Sequence, residues 1–197
     1  MATALTPPAS PPQGVNSDCL ETDSGLFELI QGVIVEKELS AFTTWLAHEL
    51  GVLLTNWVKA NQLGWVIEEM IFVLDDNRLN QPRPDVAFVS ANRWPLDRLP
   101  PYYGYWRLAP NLAVEVVSPT DRFEDVVEKA EMYLSSGVEE VWLVVPRTRT
   151  IMVYRAGNQM TAVRAGETLE TPLLPGWSLD VGTLIPVVPA DSAATPN

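Results

Sequence analysis

Three side chains combine the types and spacing needed for metal-assisted hydrolysis: Asp85, Glu115 and Lys129. Glu115 interrupts LAVEVV (Leu112 to Val117), an apolar run of the kind found in a strand covered on both faces. A buried carboxylate is costly unless it is paired or holds a metal. Glu115 is therefore either the partner of an arginine or a ligand. Asp85 follows Pro84 at the entry of PDVAFVS (Pro84 to Ser90), a second strand, where it is either a strand-entry cap or a ligand. Two carboxylates converging at one sheet end can hold a hard divalent cation such as Mg²⁺. Such a cation activates water and steadies the charge of a phosphoryl transition state. Lys129 lies mid-way along a helical pattern from Arg122 to Ser136 and shares a face with Asp125 and Tyr133 at i, i+4 spacing. The chain has only three lysines against ten arginines. Lys129 either aims a point charge at the same sheet edge or makes a surface salt bridge with Asp125.

The elements that must position these groups follow from periodicity. Phe27 to Val35 predicts a hairpin turning at Gln31-Gly32. Phe42, Trp45, Leu46, Leu50, Leu53, Leu54, Trp57 and Val58 predict one apolar helix face within Ser40 to Gln62, ended by Gly64. Trp65 to Leu74 is β-rich, and Asn92 to Pro110 is a long loop. The helix over Arg122 to Ser136 ends at Gly137, and VWLVV (Val141 to Val145) is another buried strand. Ile151 to Arg155 and Gln159 to Val163 form a closing hairpin around Gly157-Asn158. This order predicts an α/β or α+β domain, a central sheet with one short crossover helix.

Composition sets the bounds. The chain has 197 residues, 47% hydrophobic and 19% charged, enough for one core. We expect a proline-rich disordered arm over 1–19, a single domain over 20–188 and a loose tail over 189–197. The formal net charge of −12 disfavours nucleic-acid binding by bulk electrostatics, though not by a local basic patch. Cys19 is the only cysteine, which excludes an internal disulfide and a cysteine zinc cluster and fits the cytoplasm. No apolar run is long enough for a membrane span. There is no GxGxxG, no GxxxxGK[ST] and no GxSxG. His48, the single histidine, reads as a surface or structural residue of the long helix.

RPDVAFVS (Arg83 to Ser90), LAVEVVSPTDRFEDVVEKAEMYLSSGVEEVWLVVP (Leu112 to Pro146) and VYR (Val153 to Arg155) resemble the Uma-two family. FELIQGVIVEK (Phe27 to Lys37) is similar to the family's N-terminal hairpin and LPGWSLDVGTLI (Leu174 to Ile185) to its C-terminal close. Those proteins are described as putative restriction endonucleases of the PD-(D/E)XK nuclease superfamily. The resemblance implies a restriction-endonuclease-like central mixed sheet flanked by helices, with N-terminal and C-terminal hairpins. It implies Mg²⁺ or Mn²⁺ on Asp85 and Glu115, joined by the main-chain carbonyl of Val116. A strict E-x-K motif would put lysine at position 117, where this chain has Val117. The resemblance to members whose lysine has moved to the following helix points to Lys129. Glu36 stands where the family often carries an acid, with Glu49 of the long helix as the alternative fourth ligand.

The resulting expectation is a metal-dependent endonuclease, with DNA as the expected substrate and a homodimer as the expected assembly. The alternative is a nuclease-fold module that binds protein or DNA without cutting. Arg147, Arg149, Arg155 and Arg164 lie in an acid-free stretch, and Arg93, Arg98 and Arg107 share their loop with five aromatics. These could meet phosphates and bases, or form a solvated hairpin and a subunit contact.

Overall fold

The computed structural model describes residues 26–37, 40–157 and 159–187; Cys19, the N-terminal arm and the C-terminal tail lie outside them. The chain opens with the hairpin β1 (Phe27–Ile30) and β2 (Val33–Glu36), then α1 (Ala41–Ala60). A sheet of six strands follows, in the order β3 (Gly64–Glu68), β4 (Val86–Ser90), β5 (Leu112–Val116), β6 (Glu140–Val145), β7 (Thr150–Arg155), β8 (Gln159–Arg164). Only β5 and β6 run parallel. Their connection carries α2 (Phe123–Ser135), since parallel neighbours need a crossover. The short pair β9 (Thr168–Glu170) and β10 (Ser178–Asp180) and the turn α3 (Val181–Leu184) close the fold. The mixed α/β architecture anticipated from the sequence is present. The hairpin around Gly157 is part of the main sheet. Among the described residues no helix is long and apolar enough to cross a membrane.

The two faces of the sheet have separate cores because strand side chains alternate. Leu112, Val114 and Val116 of β5 pack with Leu46, Leu50, Leu54 and Val58 of α1. Ala113 of β5 packs on the opposite face with Ala130 and Tyr133 of α2. Glu115 belongs to that second face by the same alternation. Ser40 caps α1, its side chain accepting the Thr43 N–H at 3.1 Å. The buried stripe of α1 is narrower than the spacing predicts, for Trp45 and Leu53 are 43% and 40% exposed.

Gly64 also departs from its sequence reading. The helix is capped at Asn61, and Gly64 begins β3. A Cβ on Gly64 would stand 2.1 Å from the Val89 carbonyl oxygen, so glycine is required by close strand approach. The β-rich stretch after it is interrupted at Glu69, whose φ is +53°. Beyond that point Phe72 bridges Trp106 and Val73 hydrogen-bonds to it, which folds the segment under the long loop.

Candidate active site

β4 and β5 are antiparallel, with Val86 opposite Val114. Extended by one residue, that register sets Asp85 opposite Glu115. Both are 8% exposed. The Val116 N–H donates to Asp85 Oδ2, tying the first carboxylate to the strand that carries the second. α2 then brings Lys129 over this sheet end, with Nζ 2.9 Å from Glu115 Oε1. One turn further on, the Tyr133 hydroxyl donates to the same oxygen at 2.8 Å. Lys129 has no contact with Asp125 among its ion pairs; its second partner is Glu28 of β1, at 2.9 and 2.8 Å.

A second lysine enters from the end of the hairpin. Lys37 Nζ lies 2.6 Å from Asp85 Oδ1 and donates to Glu69 at 3.1 Å and to the Arg83 carbonyl at 2.9 Å. Arg83 ties these pieces together. Its backbone N–H donates to Glu28 Oε2 at 3.1 Å and its guanidinium to the Glu69 carbonyl at 3.0 Å. Asp85, Glu115, Lys37, Lys129 and Glu28 all line one cavity of about 570 Å³, with Val33 and Val35 of β2 on its wall.

Burial and the neighbouring charges together set the protonation states. Burial pushes the Glu115 carboxyl up to about 7, against the downward pull of Lys129 and Lys37. Burial alone would lower the Lys129 ammonium, but Glu115 and Glu28 outweigh it and the group is held well above the ordinary lysine range. Burial would likewise lower Lys37, and Glu115, Asp85 and Glu69 outweigh it. Burial raises the Tyr133 hydroxyl, keeping it a neutral donor to Glu115. Both lysines are therefore ammoniums at neutral pH, and neither can accept a proton there.

The structure thus gathers Asp85, Glu115, Val116 and Lys129 at one sheet end. Glu36 lines the same cavity but is exposed at the end of β2. Glu49 is exposed on α1 and stands outside the cavity lining. Sequence reasoning missed Glu28, Lys37 and Glu69. Glu28 carries the signal that flagged Glu115, an acid inside an apolar strand, and is 5% exposed. Lys37 shared the signal that flagged Lys129, scarcity of lysine in the chain. Glu69 gave no signal, because its place depends on the positive φ that ends β3.

Among the described residues no three His, Cys, Asp or Glu side chains cluster as metal ligands. Mg²⁺ is commonly bound through one or two carboxylates and keeps several waters. Asp85 and Glu115 supply two such carboxylates in adjacent register.

The arginines form a different set of contacts. Arg93 donates to the carbonyls of Ala109, Pro110 and Gly137 and to Glu139. Arg149 donates to the Ile185 and Gly182 carbonyls, and Arg155 to buried Glu140 at 2.7 Å. Arg98 lies over the Trp94 ring at 3.7 Å. Four of the arginines considered as phosphate contacts therefore engage the protein itself.

The family model Uma2, described as putative restriction endonuclease, matches residues 17–182. The chain belongs to the Uma-two family. The crystal structure of a putative nuclease belonging to DUF820 from Anabaena variabilis superposes with a TM-score of 0.76 at 19% identity. The match covers 87% of this Uma-two chain and 98% of that one, and at this identity it concerns the fold. A search of curated proteins finds no match. The family's description points to a nuclease.

Proposed function

We propose that this Uma-two protein is a divalent-metal-dependent endonuclease that hydrolyses phosphodiester bonds in DNA. The observation that carries the reading is the Asp85–Glu115 register, with the Lys129 ammonium 2.9 Å from Glu115. Asp85, Glu115 and the Val116 carbonyl would hold Mg²⁺ or Mn²⁺, and Glu36, which lines the same cavity, is the further acidic ligand. The bound cation would supply Lewis-acid polarisation of the phosphate and a more acidic water.

The remaining work falls to the chain's own groups. Lys129 stays protonated, so it acts as a positive charge toward the phosphate or a donor to the attacking water, and never as a base. Glu28 fixes where that charge points, gripping Nζ from β1. Tyr133 fixes the Glu115 rotamer through its hydroxyl. In the net reaction the water oxygen bonds to phosphorus, one P–O ester bond breaks, and a proton passes to the leaving oxygen.

A specific observation favours a second reading, a nuclease-fold module that binds without cutting: both carboxylates already face buried ammoniums. Cleavage assays with Mg²⁺ or Mn²⁺ on single- and double-stranded DNA and RNA separate the two. The enzyme reading expects metal-dependent cutting by the wild type and none by Asp85→Asn. Intact substrate under every condition, with retained binding, establishes the second reading instead.

A further inference from the structure

Lys37 is more than a neighbour of the proposed metal site. Its ammonium has three N–H groups and four oxygens around it: Asp85 Oδ1 at 2.6 Å, Glu69 Oε1 and Oε2 at 3.1 and 3.2 Å, and the Arg83 carbonyl at 2.9 Å. The shortest contact is to Asp85, on an oxygen that a cation would use. The other oxygens belong to the irregular segment after β3 and would suffice to hold the ammonium without Asp85. Glu69 is also the more open of the two carboxylates, with its side chain 34% exposed against 11% for Asp85. Lys129 differs in that its second carboxylate, Glu28, is itself buried, with its side chain 7% exposed.

We propose that the Lys37 ammonium is a built-in competitor of the divalent cation at Asp85, and that Glu69 is the position to which it withdraws when the cation binds. The inference rests on the metal reading of the site and concerns what regulates it. In the cation's absence Lys37 keeps buried Asp85 neutralised and the fold intact. On binding, the divalent cation replaces the ammonium at Oδ1, and the ammonium keeps three acceptors.

Titration calorimetry with Mn²⁺ alone tests this without any substrate. Removing the competitor in Lys37→Met should tighten binding about tenfold or more, the scale on which a contacting charge shifts an ionic equilibrium. Arg122→Met removes the same unit charge from the cavity wall without touching either carboxylate, and should change affinity far less. Glu69→Gln should weaken binding in the wild-type background and leave it unchanged once Lys37 is gone, a coupling that two independent effects would not produce. If Lys37→Met fails to fold, Lys37→Gln keeps a neutral donor at Asp85 and carries the same expectation. Equal tightening in the Lys37 and Arg122 variants, or unchanged affinity on losing Lys37, overturns the inference and leaves the metal site standing. No binding heat from the wild type or any variant overturns the metal reading as well.

Discussion

Two sets of cationic groups in this protein make contacts of different kinds. In the cavity, Lys37 and Lys129 face carboxylates: Asp85 and Glu69 for one, Glu115 and Glu28 for the other. On the surrounding scaffold, Arg93 and Arg149 fork onto loop carbonyls, and Arg155 grips Glu140. The difference follows from the head groups. A guanidinium presents five donors in a rigid plane and can staple several carbonyls at once, while an ammonium is a compact point charge that tolerates a change of partner. Arg93, Arg149 and Arg155 fasten the scaffold, and Lys37 and Lys129 sit where buried carboxylates converge.

The strongest way to break that comparison is to remove the cavity charge gripped by two buried carboxylates. Lys129→Ala should lower turnover on the order of 10²–10³-fold, by analogy with the loss of one preorganised donor, while its Mn²⁺ affinity changes only a few-fold. Single-turnover cleavage beside calorimetry reads both. A folded variant that cuts at the wild-type rate would make Lys129 a structural counter-ion.

The scaffold should answer differently. Arg155→Ala leaves Glu140 with Trp142 and Thr171 as donors but no counter-charge, at 2% side-chain exposure. Stability should fall by about 2 kcal/mol, below the usual cost of an orphaned buried charge because Arg155 is itself 31% exposed. Denaturant melts measure the loss, and cleavage per folded molecule should not change.

Glu115 gives a pH signature. Its folded value of about 7 lies above the ordinary carboxylate value of 4.5, so over that window the folded state holds a proton that the unfolded state has released. Stability from this group is full below about 4.5 and is lost as pH rises through 7. Glu115→Gln cannot ionise, so in metal-free buffer its melting temperature should gain on the wild type between pH 5 and pH 8. The gain should reach on the order of 1–2 kcal/mol, and thermal melts across that range would show it. A difference that stays flat with pH would mean that Lys129 keeps Glu115 ionised throughout.

The smallest effect sharpens the lysine–arginine distinction itself. Arg93→Lys keeps the charge but cannot reach the carbonyls of Ala109, Pro110 and Gly137 together. It should cost about 1 kcal/mol in a denaturant melt, with no change in cleavage.

Much of the site could be read because its residues obey local rules. Glu115 stands out as an acid in an apolar strand. Lys129 stands out as a rare lysine one helical turn before Tyr133. The alternative partner for Lys129, Asp125, was equally reasonable by spacing, and only packing chose between them: α2 turns Lys129 toward β1. The same limit hid Lys37 and Glu69, which meet across 32 residues, and Glu28, which meets Lys129 across 101. The long aromatic loop left two readings open, a nucleic-acid surface or a subunit contact. Its Arg93 and Arg98 have the composition of a nucleic-acid surface, yet one binds main-chain carbonyls and the other stacks on Trp94.

Sequence alone determined the periodicities, and with them the hairpin, the long helix and the short crossover helix, the buried strands and the mixed α/β class, because burial of alternate or every third and fourth side chain is imprinted locally. It also determined that Glu115 stands in an apolar strand where a carboxylate needs a partner, and that Asp85 stands at the entry of another strand. Tertiary structure decided which partners those are. The β4–β5 register brought the acids opposite each other, the parallel crossover laid Lys129 above them, and the N-terminal hairpin closed the cavity with Glu28 and Lys37. These pairings depend on how separate elements dock, and the energy that selects them is buried apolar area on both faces of the sheet, which no short stretch of sequence contains.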